Sequence, residues 1–82
     1  MREHLHGTRP AIARLAAIKA AILAGPARGQ MLNAHTLARD MECNPRTIHR
    51  DLTFMRDRLG HDIAYNPSTW TLYYVTPPQP VL

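Results

Sequence analysis

The amino-acid sequence predicts a mainly α-helical domain with one small β-hairpin near its end. Three observations carry that expectation. Three segments space their apolar residues as helices do between capping and stopping residues, the composition turns β-branched and aromatic after Gly60, and the chain has only 82 residues. A domain this short buries roughly 60–65% of its unfolded surface, which gives one small core and no roomy catalytic cleft.

The first helix is expected in "TRPAIARLAAIKAAILAG". Thr8 suits an N-cap, Pro10 falls in the first turn, and Gly25-Pro26 is a stop signal. Ala11, Ile12, Leu15, Ile18, Ile22 and Leu23 follow helical spacing and are expected to face inward, with Arg14 and Lys19 outside.

After the loop "GPARG", Gln30 to Leu32 reads as a short extended piece and Asn33 as the N-cap of a second helix. Leu37, Ala38 and Met41 mark its inner side. Barely two turns long, this helix must be held by its neighbours, because so short a helix is unstable alone.

The third helix is expected in "NPRTIHRDLTFMRDRLG". Asn44 caps it, Pro45 occupies the first position, where a missing N–H costs nothing, and Gly60 ends it. Ile48, Leu52, Met55 and Leu59 form one apolar stripe, and Arg46, His49, Arg50, Thr53 and Arg56 take the opposite side. Only Glu42 to Asn44 separate the second and third helices. Two short helices joined by so brief a turn, the second basic at its start, make a helix-turn-helix pattern.

Beyond Gly60, the stretches 62–65 and 70–75 read as two strands around the turn-forming "NPST". Of Tyr65, Trp70, Tyr73 and Tyr74, two are expected to cover the core. Residues 77–82, "PPQPVL", suit an extended linker or tail. With residues 1–7 as an N-terminal tail, the domain spans 8–76.

All ten Lys and Arg lie between Arg2 and Arg58, against six acids, and the formal net charge of +4 favours an anionic partner such as nucleic acid. A single cysteine, Cys43, excludes an internal disulfide and fits a reducing compartment; its place in the turn suits a small buried residue. The start "MREHLHGTRP" lacks a signal peptide's apolar run, and no stretch approaches the ~20 apolar residues of a membrane span. A cytoplasmic protein with no membrane association is expected. His4, His6, His35, Cys43, His49 and His61 show no closed-site metal spacing, so neither metal nor cofactor is expected. No acid–base pair accompanies a cleft, so the chain is not expected to be an enzyme.

Helix, short strand, helix-turn-helix and hairpin together make a winged helix-turn-helix. The segment from Leu32 to Val75 resembles the N-terminal DNA-binding domains of DeoR-type and WYL-domain bacterial transcriptional regulators, and the likeness extends over about residues 8 to 76. "LA" is Leu37-Ala38, "RTIHRD" is Arg46 to Asp51, and "TLYYV" stands where the wing ends. Three features depart from that family's pattern. Asn44-Pro45 replaces a serine-arginine, the wing has no Lys or Arg, and no ligand-sensing domain follows it, as expected of a fragment or a stand-alone module.

The resemblance implies sequence-specific binding of double-stranded DNA, with the third helix (45–59) in the major groove. Arg46, His49 and Arg50 would meet base edges, since Arg can donate two bonds to guanine or clamp a phosphate. Asn33, His35, Asn44, Thr47 and Thr53 would meet phosphates, and the tip, Asn66, Ser68, Thr69 and Trp70, would lie along the minor groove or backbone. Asp51 would repel phosphate and is expected in an ion pair with Arg50 or Arg39. So small a module is expected to act as a homodimer or attached to an effector-binding domain. The alternative is a protein-interaction module using the uncharged aromatic hairpin.

Overall fold

The computed structural model describes residues 11–78. The expected Thr8 cap and Pro10, the tail 1–7, and residues 79–82 lie outside the described residues. Three helices precede an antiparallel hairpin: α1 (Ala11–Ala24), α2 (Ala34–Asp40), α3 (Pro45–Asp57), β1 (Ile63–Asn66) and β2 (Thr71–Tyr74).

In α1 the buried row is Leu15, Ile18 and Ile22. Ala11, Ile12 and Leu23, expected inside, are exposed, Ile12 to 69% and Leu23 to 55%. Leu23 follows Ile22 by a rotation of about 100°, which turns it off the row. Ile12 lies in the first turn, ahead of every buried residue of the helix. Arg14 also departs from expectation. Four residues before Ile18, it sits at the edge of the buried row rather than outside.

The extended piece at 30–32 is reduced to one bridge, in which the Leu32 carbonyl accepts from the Leu72 N–H at 2.8 Å. Asn33 then starts α2 as expected. Its side chain accepts from the N–H groups of His35 and Thr36, and the Thr36 hydroxyl accepts in return from the Asn33 N–H. This reciprocal cap satisfies donors that a helix end leaves free.

Met41 caps α2, so four residues, 41–44, connect it to α3 rather than three. Glu42 reverses the chain with φ 55. Its N–H donates to the Arg39 carbonyl and that of Cys43 to the Ala38 carbonyl. That bonding is a Schellman C-cap, made here with glutamate where glycine carries no steric penalty. Asn44 caps α3 by accepting from the Arg46 N–H at 2.8 Å, and Pro45 takes the first helical position.

Ile48, Leu52 and Met55 are buried as the apolar stripe requires, and Leu59 packs at its margin. They join Leu15, Ile18 and Ile22 of α1, Leu37 and Ala38 of α2, Met41, and Ile63 and Leu72 of the hairpin in one core. Every element contributes, so the short α2 is stabilised by packing rather than by its own hydrogen bonds.

The hairpin pairs Ile63 with Tyr74, Ala64 with Tyr73, Tyr65 with Leu72 and Asn66 with Thr71. Opposed residues share a face, so Ile63, Tyr65, Leu72 and Tyr74 face the core side while Ala64 and Tyr73 face away. Of the four aromatics only Tyr74 packs on the core; Tyr65 lies nearer the tip and is 40% exposed. Trp70, expected to open the second strand, instead closes the loop with φ 57, a conformation that costs a non-glycine residue on the order of 1 kcal/mol. No helix among the described residues is long and apolar enough to cross a membrane.

Candidate nucleic-acid interface

The stripe that buries Ile48, Leu52 and Met55 fixes what α3 shows to the outside. Arg46, His49, Arg50 and Thr53 recur at i, i+3, i+4 and i+7, which puts them on one face, and all four are exposed. Among the described residues, none of these side chains has a hydrogen bond or ion pair. Their donors are available to a ligand. Thr47, on the flank, is half-buried.

A groove of about 340 Å³ runs between this helix and the hairpin, lined by Asn33, Ala34, His35, His49, Leu52, Arg56, Tyr65 and Leu72. Of the expected contact residues, it gathers Asn33, His35 and His49. It adds two from outside the expected contact set, Arg56 of the polar side of α3 and Tyr65 of the hairpin aromatics. The Arg56 Nε donates to the Ile63 carbonyl at 3.0 Å, tying α3 to β1 while its terminal nitrogens keep their donors. Asn33 and Asn44 are placed as expected, at helix starts, but both side-chain oxygens already accept backbone N–H groups in caps. Their amide nitrogens alone remain for a ligand.

Asp51 corrects an expectation. Its partner is neither Arg50 nor Arg39 but Arg14 of α1, whose guanidinium grips the carboxylate through Nε and, at 3.1 Å, through Nη2. Arg39 is paired with its neighbour Asp40 at the surface. The helical phase explains both. Asp51 lies three residues after Ile48 and four before Met55, inside the buried stripe, and Arg14 occupies the matching position on α1. The hydrogen bond to Asp51 raises the pKa of Arg14 above its ordinary value against the opposing effect of burial. The outward face of α3 thus keeps the guanidiniums of Arg46 and Arg50 while its one inward acid is neutralised behind it.

His61, just past the end of α3, is buried, and its Nδ1 lies 2.7 Å from the Tyr74 hydroxyl. Burial first, and Lys19 second, push its pKa down, and burial pushes that of Tyr74 up. A neutral imidazole accepting the Tyr74 proton fits both directions. The signal available in the sequence was position: His61 follows the glycine that turns the chain back onto the core.

At the tip, Asn66, Ser68, Thr69 and Trp70 are all exposed. The Asn66 side-chain oxygen accepts from the Ser68 N–H, and the Thr71 hydroxyl donates to the Thr69 carbonyl. The Trp70 and Tyr65 rings meet edge-on, with centroids 6.3 Å apart. Cys43 is half-buried against the core, and no group of three or more His, Cys, Asp or Glu among the described residues is placed to hold a metal. Compared with protein-family models, curated proteins and solved structures, the chain has no match.

Proposed function

We propose that the chain binds double-stranded DNA sequence-specifically, as the winged helix-turn-helix module of a bacterial transcriptional regulator. One observation carries the reading: Arg46, His49, Arg50 and Thr53 stand exposed on a single face of α3, while the other face is locked into the core. A helix so anchored can present its donors to the major groove without losing its packing. Arg46, His49 and Arg50 are assigned to base edges and His35, Thr47 and Thr53 to flanking phosphates. Asn33 and Asn44 act mainly by shaping the helix starts that carry these groups. The +4 net charge supports attraction to DNA generally. A homodimer or an attached effector-binding domain would supply the remaining base pairs that one small module does not reach.

Gel retardation with a mixed-sequence duplex at low salt tests the reading. Binding by the parent is expected, and no retardation at micromolar protein overturns it. Once a preferred sequence has been selected, Arg50→Ala should weaken binding to it by about 1–3 kcal/mol, the loss of one bidentate base contact, with an unchanged thermal midpoint. A second reading, a protein-interaction module, draws on the exposed Tyr73 and Val75 of the hairpin. It gains if duplex DNA is not bound.

A further inference from the structure

Two of the residues assigned to DNA carry a charge that the solution sets. His35, in the first turn of α2, and His49, on the outer face of α3, line one groove together with Arg56 and, from the hairpin, Tyr65. Both imidazoles are exposed, and among the described residues neither has a hydrogen bond or an ion pair. Arg46 and Arg50 stand beside His49 on the same helix face, and arginine keeps its charge at every working pH. No carboxylate lines the groove, and the one acid buried on α3, Asp51, is held by Arg14. Nothing lining the groove therefore neutralises a proton placed there. An anionic partner does.

Histidine is the side chain whose charge changes near neutrality, with an ordinary pKa of about 6.5. A neutral imidazole offers one donor and one acceptor, whereas the imidazolium offers two donors and a positive charge. Phosphate oxygens only accept, and the guanine edge in the major groove presents O6 and N7, both acceptors. Protonation thus improves the match of either histidine to either partner.

We propose that DNA binding by this chain is coupled to proton uptake at His35 and His49, so that affinity rises as pH falls through the range in which histidine titrates. This rests on the reading of the chain as a duplex-DNA binder and adds to it a regulation by pH. The coupling is reciprocal: whatever protonation adds to binding, bound DNA adds to protonation. His61 does not supply it. Buried against Tyr74, it does not line the groove, and with its pKa lowered by burial its protonation favours the unfolded chain, which works against binding.

The test titrates a fluorescently labelled mixed-sequence duplex with the 82-residue protein at low salt and follows anisotropy, with circular dichroism reporting the fold. Between about pH 8 and about pH 6 the association constant of the parent should rise about tenfold, the order of two added charges near phosphate. The slope of log K against log[salt] should steepen by about 1 to 2, since each imidazolium that neutralises a phosphate releases a counterion. The double variant His35→Gln with His49→Gln changes only exposed side chains and should melt with the parent. It should lose both pH effects, whatever its absolute affinity. Because it keeps His4, His6 and His61, a pH effect that persists in it comes from elsewhere and overturns the proposal. A parent with the same affinity and the same salt slope at both pH values also overturns it while leaving the DNA reading intact, and that comparison needs no variant. Absence of duplex binding at both pH values removes both readings together.

Discussion

Arg46, His49 and Arg50 stand on α3 with no side-chain partner among the described residues, whereas at the hairpin tip the Asn66 side-chain oxygen and the Thr71 hydroxyl are bonded to backbone groups of the loop. Both regions rest on the same core, through Ile48, Leu52 and Met55 on one side and Ile63 and Leu72 on the other. The difference shows how a small domain divides its polar groups. On the helix, past the Asn44 cap, backbone hydrogen bonding needs no side chains, so the polar side chains of the outer face keep their donors unengaged. In the hairpin loop, backbone groups lack regular partners, and Asn66 and Thr71 supply them. Beside them the Trp70 and Tyr65 rings stand exposed.

The change with the largest expected effect removes what the two regions share. Leu52→Ala should destabilise the domain by roughly 2–5 kcal/mol, because its side chain is 3% exposed at the centre of the core and truncation leaves a cavity. Small domains have little stability beyond that. Thermal or urea unfolding checks it, and a midpoint within a degree or two of the parent would mean that α3 and the hairpin do not depend on a common core.

A change confined to the helical side should come next. Arg14→Met strands the Asp51 carboxylate, whose side chain is only 10% exposed, and about 2 kcal/mol should be lost at neutral pH. The double change Arg14→Met with Asp51→Leu should recover most of this, since buried ion pairs exchange well for apolar packing. A double-mutant cycle in urea gives the coupling. A value near zero would mean that Asp51 is well solvated without Arg14, contrary to its burial.

Much of this helical side was legible in the sequence, and the reasons are physical. Asn33, Asn44 and Pro45 are residues whose local chemistry dictates a boundary, and each sits where it was expected, whereas α3 ends at Asp57, two residues short of the expected 59, and Gly60 turns the chain with φ 74 just beyond. The stripe on α3 was legible because thirteen residues repeat its period. In α1, so rich in alanine, isoleucine and leucine, many phases fit, and Ile12 and Leu23 were misplaced. The Arg14–Asp51 pair joins residues 37 apart in the chain. The repulsion Asp51 would meet from phosphate pointed to an ion pair, but only the packing of α1 on α3 names its partner. Among the candidate contacts, the exposed set on α3 followed from phase alone. The groove did not, because it depends on where the hairpin comes to rest.

Within the turn that joins α2 to α3, a smaller effect of opposite sign is expected. Glu42→Gly should stabilise the domain by about 1 kcal/mol or slightly less, since glycine relieves the left-handed strain at φ 55 but gains freedom in the unfolded chain. The hairpin should be unaffected. Urea unfolding decides the sign, and a loss of stability would show that the Glu42 side chain contributes more than the strain it causes.

The smallest effect is expected on the hairpin side, where His61 links β2 to proton concentration. Its pKa in the folded protein is lowered, mainly by burial, so the unfolded chain binds its proton more readily than the folded one. Between the folded value and the unfolded value of about 6.5, the unfolded state therefore carries more protons, and stability rises with pH. Read downward, stability is intact above that unfolded value and is lost as pH falls toward the folded one, where the loss levels off. Protonation also places a hydrogen on Nδ1, so the Tyr74 hydroxyl, 2.7 Å away, must turn from donor to acceptor. His61→Gln removes the titrating group and keeps a polar side chain there. Unfolding free energies of the two proteins, followed from about pH 7.5 down to 5.5, should diverge, with the parent losing more as the solution becomes acidic. Parallel curves would mean that His61 titrates alike in the folded and unfolded chains, and that its contact with Tyr74 does not bind the hairpin to the core in a pH-dependent way.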